Sequence, residues 1–170
     1  MPIDACTSKF IELATSVLPK YMAELRGDIR TGRPLADFCV SGVGVKTIAA
    51  KLGKQNDFSG CYVLQRNNKP FYVGISRGVI ARLRQHGTGK THFDASLAYR
   101  MAREKVRHKM TRSAAMADPV FRSAFDQAKE LLKGSSVAFV EIRNDLELYL
   151  FEAYCAMELD TYEWNTFRTH

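Results

Sequence analysis

Two tyrosines, an arginine, a histidine, a glutamate and an asparagine carry the chemistry this sequence offers. Tyr62 and Tyr72 stand in two runs of β-branched and aromatic residues, Tyr62-Val63-Leu64 and Phe71-Tyr72-Val73, and such runs favour strands. Between them, Gln65-Arg66-Asn67-Asn68-Lys69-Pro70 is turn-forming, and Asn67-Asn68 tolerates the positive φ of a hairpin. Gly74 ends the second strand, and Ser76 is positioned to cap a helix starting at Arg77. On that helix Arg82 and His86 lie four residues apart and share a face, beside Val79, Ile80 and Leu83 on its apolar side. Hairpin and helix therefore present two phenols, a guanidinium and an imidazole together. Arginine is always charged and matches phosphate geometry. Histidine exchanges protons near neutrality, and a tyrosine works as a base only if cations lower its pKa from about 10. Hydrolysis of a phosphodiester needs these functions: an activated water and stabilised charge on the phosphorus oxygens.

The C-terminal region adds a carboxylate. Leu146, Tyr149, Leu150, Ala153, Tyr154 and Met157 recur at helical spacing and predict the apolar stripe of an amphipathic helix. Glu152 lies on that helix with Leu148, Tyr149, Cys155 and Ala156 three and four residues away, none of them charged. A carboxylate so placed is partly desolvated and calls for a partner such as a metal ion. Glu147 and Glu158 have more polar neighbours and read as solvated charges. Thirteen residues after Glu152 comes Asn165, within Trp164-Asn165-Thr166-Phe167.

These residues resemble the GIY-YIG nuclease family. Gly60-Cys61-Tyr62 stands for the first signature tripeptide, with Cys61 in place of the usual isoleucine, and Tyr72-Val73-Gly74 stands for the second. Arg82 follows eight residues past Gly74, and His86 follows it, both at the family's spacing. Glu152 and Asn165 match the family's metal-binding glutamate and the asparagine after it. The resemblance spans residues 60 to 165. It implies a small three-stranded antiparallel sheet flanked by helices, and endonucleolytic cleavage of DNA that leaves a 5′-phosphate. It further implies one divalent cation, Mg2+ or Mn2+, held by Glu152. Tyr62 would be the general base, Tyr72 a second active-site tyrosine, His86 the acceptor or relay of the tyrosine proton, and Asn165 an orienting residue.

Charge points to the same partner. The chain has 170 residues and a net charge of +7, with an isoelectric point near 9.3. Such a balance bears on partners rather than on fold. Arg100, Arg103, Lys105, Arg107, Lys109 and Arg112 face a single nearby acid, Glu104. Charge of one sign repels itself, so a phosphate backbone is its expected counterpart. Arg84, Lys90, Arg100, Arg103, Arg107 and Arg112 are the expected DNA contacts. Gly87-Thr88-Gly89-Lys90-Thr91 is a basic loop whose glycines are too close for a phosphate-cradling P-loop. No apolar run approaches a membrane span, and the basic helix lacks the adjacent apolar face of a membrane-surface element. Cys6, Cys39, Cys61 and Cys155 are widely spaced, without a Cys-x-x-Cys pair. A reducing cytoplasmic compartment is expected, on the nucleoid if the source is prokaryotic, with no zinc.

Around this site the sequence predicts an α+β fold. Residues 8 to 26 read as helix along Phe10, Leu13, Ala14, Val17, Leu18, Tyr21, Met22 and Leu25, interrupted at Pro19 by a kink or a break. Thr31-Gly32-Arg33-Pro34 is a turn signal, and Val45 to Leu52 is a second helix. Lys46 to Gly53 resembles the first half of a helix-turn-helix, but no recognition helix follows. Residues 1 to 56 are thus a helical extension on a nuclease domain of residues 57 to 170, with a helical insertion around 91 to 133. Within that insertion helices are expected over 95 to 113 and over 118 to 133, the second with Asp118 as N-cap and Pro119 at its first position. Ser136 to Ile142 supplies the third strand. A non-cleaving DNA-binding or assembly module on the same fold is the rival reading, and a homodimer or a protein partner would serve to cut both strands.

Overall fold

The computed structural model describes residues 2–107 and 109–167. After a short 3-10 turn (Ile3–Ala5), α1 (Phe10–Glu12) passes through a π segment (Leu13–Val17) and continues as α2 (Leu18–Thr31). Pro19 explains the π segment. It has no N–H, and its ring crowds the carbonyl four residues back, so widening the preceding turn relieves the clash without breaking the helix. Next come β1 (Arg33–Pro34), a 3-10 turn (Leu35–Phe38) and α3 (Val45–Lys51). The hairpin of β2 (Gly60–Arg66) and β3 (Lys69–Ser76) turns through Asn67 and Asn68 at φ of 51° and 60°. Then follow α4 (Val79–Thr88), α5 (Ser96–Val106), α6 (Arg112–Ala117), α7 (Pro119–Lys133), β4 (Ser136–Glu141) and α8 (Asp145–Glu158).

The sheet is antiparallel in the order β1-β4-β2-β3. It has four strands where three are expected. The extra strand lies in the predicted turn: Arg33 opposes Val137 and Pro34 opposes Ser136. A two-residue strand has no alternation to read, and a proline is tolerated at a sheet edge because its missing N–H would point to solvent. Asp28 secures it, accepting from Arg33 Nη1 at 2.7 Å and from the backbone N–H of Phe139 at 2.9 Å.

The pleat divides the side chains between two cores. Cys61, Val63, Val73, Ala138 and Val140 pack with α2 and α8 on one face. Tyr62, Leu64 and Val137, with Tyr72 and Phe139 at the margin, pack with α4, α5 and α7 on the other. Residues 1 to 56 belong to both layers: α2 gives Leu18, Met22 and Leu25 to the first, and Leu35, Phe38, Ile48 and Ala49 join the second.

Three expectations need correction. The buried side of α8 is Leu148, Phe151, Cys155 and Ala156, whereas Tyr149 and Met157 are 73% and 80% exposed. This helix is apolar on almost every side, so periodicity does not single out a face, and the sheet decides. Glu147 is not a free surface charge, since it accepts the Tyr21 hydroxyl at 2.7 Å. The cationic stretch is not one helix. Arg107 ends α5 in the left-handed region at φ 48°, and Arg112 starts the separate helix α6. By contrast, Asp118 caps α7 as expected, accepting from the N–H of Phe121 at 2.8 Å. Among the described residues no helix is long and apolar enough to cross a membrane.

Candidate active site

Tyr62 points from the central strand β2 into the α4 side of the sheet, and its cross-strand partner is Gly74. The glycine is required there, because a Cβ on residue 74 would lie 2.4 Å from the Tyr62 hydroxyl. With that space clear, the phenol reaches over β3 and meets His86 Nε2 at 2.7 Å. The rings of Tyr62, Tyr72 and His86 form a triangle with centroid separations of 6.3, 5.5 and 5.8 Å. Tyr62 is 1% exposed and His86 0%, while Tyr72 is half-buried. Among the described residues, His86 Nδ1 is buried without a hydrogen-bond partner.

Arg82 and His86 owe their positions to α4, and α4 owes its start to a residue the sequence did not reveal. Ser76 is not its N-cap: it is the last residue of β3, and its hydroxyl accepts from the N–H of Gly78 at 3.0 Å. Asp57 takes that role from outside, its carboxylate accepting from the N–H groups of Ile80 at 2.8 Å and Ala81 at 3.0 Å. No spacing rule identifies a cap twenty-odd residues before its helix. Arg82 is then locked to the start of α5. Its Nη1 donates to the carbonyl of Asp94 at 2.8 Å and to Gln85 Oε1 at 3.2 Å, and Nη2 donates to Ser96 Oγ at 2.8 Å. Asp94 and Ser96 are likewise partners that motif spacing does not find.

Burial dominates the electrostatics and overturns two expectations. The Tyr62 phenol is not made acidic by its neighbours. Burial pushes its pKa well up, Tyr72 adds to the rise, and Arg82 opposes it by charge and hydrogen bonding without prevailing. Tyr72 is raised by burial too, with Arg82 and a hydrogen bond from Tyr62 acting against the rise and Glu152 adding to it. His86 does not titrate near neutrality. Burial, and then the charge of Arg82, lower its pKa to about 3, so it is a neutral imidazole at physiological pH.

Glu152 lies half-buried on α8 with its pKa raised by burial, close enough for its charge to act on Tyr72 and Cys61. No described side chain pairs with it. Among the described residues no group of three or more His, Cys, Asp or Glu gathers as a metal cage. Asn165 lies against β3. Its Oδ1 accepts from the N–H of Val73 at 2.9 Å and its Nδ2 donates to the carbonyl of Val73 at 2.8 Å. It thereby covers the free edge of β3 between Tyr72 and Gly74.

The basic residues fall into different settings. Arg84 Nη1 donates to the backbone carbonyls of Phe38 and Val43, which ties α4 to that segment. Arg100 is half-buried, and its charge reaches Tyr72. Lys90, Arg103, Arg107 and Arg112 are exposed. Compared with family models, curated proteins and solved structures, the chain matches none.

Proposed function

We propose that this chain is a metal-dependent DNA endonuclease of the GIY-YIG type, hydrolysing a phosphodiester to leave a 5′-phosphate. The observation that carries the reading is the contact of Tyr62 with His86 at 2.7 Å, beside Tyr72 and Arg82, with the charge of Glu152 acting on Tyr72. Arg82 acts by charge on both phenols, and Asn165 is bonded to Val73, next to Tyr72.

A single divalent cation, magnesium or manganese, fits the donor chemistry. Magnesium keeps most of its waters and takes one or two carboxylates, with phosphate oxygens completing the set. Glu152, without a cationic partner, is the residue that would hold it. When bound, the ion supplies Lewis-acid stabilisation of the phosphate and of the leaving oxygen.

The chain's own residues move the proton. Burial favours Tyr72, rather than Tyr62, as the group that meets the attacking water. A phenol whose pKa is raised cannot act as a standing phenolate. It can take the water's proton only while passing its own onward; Tyr62 and His86 Nε2, in the tautomer that leaves Nε2 unprotonated, relay it, and because the His86 pKa is lowered to about 3 the proton does not rest there but ends on the departing 3′-oxygen. The water oxygen bonds to phosphorus as the bond to the departing 3′-oxygen breaks. Arg82, fixed by Asp94 and Ser96, holds positive charge beside both phenols and the incoming phosphate. Asn165 steadies β3 while DNA binds.

One observation favours the rival reading of a non-cleaving DNA-binding module. Tyr62 and His86 are both buried, an arrangement that also suits a purely structural pair. Incubating the protein with supercoiled plasmid, with and without magnesium, decides between them. The endonuclease reading expects magnesium-dependent nicked or linear product. Retarded but intact plasmid at every magnesium concentration would favour the module.

A further inference from the structure

A cleft of about 420 Å³ opens beside the site, between the tip of the β2–β3 hairpin, α5 and the loop after α8. Three of its lining residues directly adjoin residues of the site in sequence: Phe71 precedes Tyr72, Met101 follows Arg100, and Trp164 precedes Asn165. The cleft therefore lies against the strand, helix and loop that carry Tyr72, Arg100 and Asn165. Its size lies within the roughly 300–1,000 Å³ of small-ligand sites.

Its chemistry is that of a nucleotide subsite. Tyr162, 78% exposed, stands at the mouth, where a flat partner can lie on its ring. Arg66 sits over Phe71 at 5.6 Å from the ring centre. Among the described residues neither Arg66 nor Lys69 has a carboxylate partner, so two free cations border the aromatic lining. The carboxylates of Asp160 and Glu163 also line the cleft and can accept from the amino groups on a base edge. Cations for phosphate, rings for stacking and acceptors for a base edge are the elements by which proteins hold an unpaired nucleotide.

We propose that this cleft receives a nucleotide splayed out of the DNA stack next to the phosphate engaged at Tyr72, so that the protein selects DNA containing unpaired bases. The proposal rests on the reading of this face as a nucleic-acid site, but not on cleavage.

The test is binding in EDTA, where no hydrolysis can occur. A fully paired duplex is compared with the same duplex carrying one bulged 2-aminopurine, using wild type, Tyr162→Ala and Arg66→Ala. Both substitutions are at exposed positions and should leave the fold intact, which circular dichroism checks. Wild type is expected to favour the bulged duplex by about ten-fold or more, within the range for one base stacked on an aromatic side chain, and to change 2-aminopurine fluorescence. Tyr162→Ala should lose both effects yet bind paired duplex as wild type does. Arg66→Ala should lose part of the preference. Equal wild-type affinities, or a preference that survives Tyr162→Ala, would overturn the proposal. Wild type failing to bind either duplex would overturn it together with the nucleic-acid reading. An intact preference in a protein that never cuts plasmid would leave the cleft assigned and remove only the endonuclease.

Discussion

The hydroxyl of Tyr62 and Nε2 of His86 meet at 2.7 Å in a space closed to solvent. The folded pKa of His86 is lowered from 6.5 to about 3, so the unfolded chain binds the extra proton between those values. Stability from this group is fully present above about pH 6.5 and is lost as pH falls towards 3. His86→Gln keeps an amide within reach of Tyr62 but removes the titration. Its denaturant midpoint should therefore fall less steeply than that of wild type between pH 6.5 and pH 4. Parallel curves for the two proteins would show that His86 is not held neutral.

Gly74 is the other half of that contact. A methyl group there would sit 2.4 Å from the Tyr62 hydroxyl, so Gly74→Ala must displace the phenol or the strand. Overpacking of this kind typically costs about 1–3 kcal/mol. The variant should unfold at lower denaturant and lose cleavage out of proportion to its remaining folded fraction. Wild-type stability and activity in Gly74→Ala would mean that the phenol has room to spare.

Glu152 gives a prediction of opposite sign. Burial raises its pKa, so ionising it at neutral pH opposes folding. That penalty vanishes as pH falls below the unfolded value, where the side chain is protonated in both states. Glu152→Gln mimics the protonated form and should melt at or above the wild-type temperature at pH 7. Magnesium should raise the melting temperature of wild type by mass action and leave the variant unmoved. An equal magnesium shift in both proteins would remove Glu152 as the metal ligand.

Much of this was legible because it is local. The hairpin turn at Asn67-Asn68, the cap at Asp118 and the shared face of Arg82 and His86 all follow from residues a few positions apart. What escaped was non-local. Asp57 caps α4 from across the fold, β1 exists because β4 lies beside it, and the face buried by α8 is chosen by the sheet. The protonation states escaped for the same reason. Residue types place a histidine near neutrality, and burial beneath the sheet, with the charge of Arg82 beside it, moves His86 to about 3.

The exposed cations permit a test independent of the site. Arg103 and Arg107 are both exposed, one on α5 and one at its end. If both touch phosphate, Arg103→Ala/Arg107→Ala should flatten the log–log salt dependence of duplex binding by about 0.9 per lost contact. Binding should weaken alike on every sequence. An unchanged slope would return both side chains to bulk solvent.

The proposed endonuclease depends on a cation held by Glu152. The most direct measurement is magnesium-dependent cleavage of supercoiled plasmid by wild type and Glu152→Gln, with DNA affinity taken on the same samples. Cleavage by wild type, none by Glu152→Gln, and similar affinity for both are expected. Full magnesium-dependent cleavage by Glu152→Gln, or none by wild type at any magnesium concentration, would contradict the proposal.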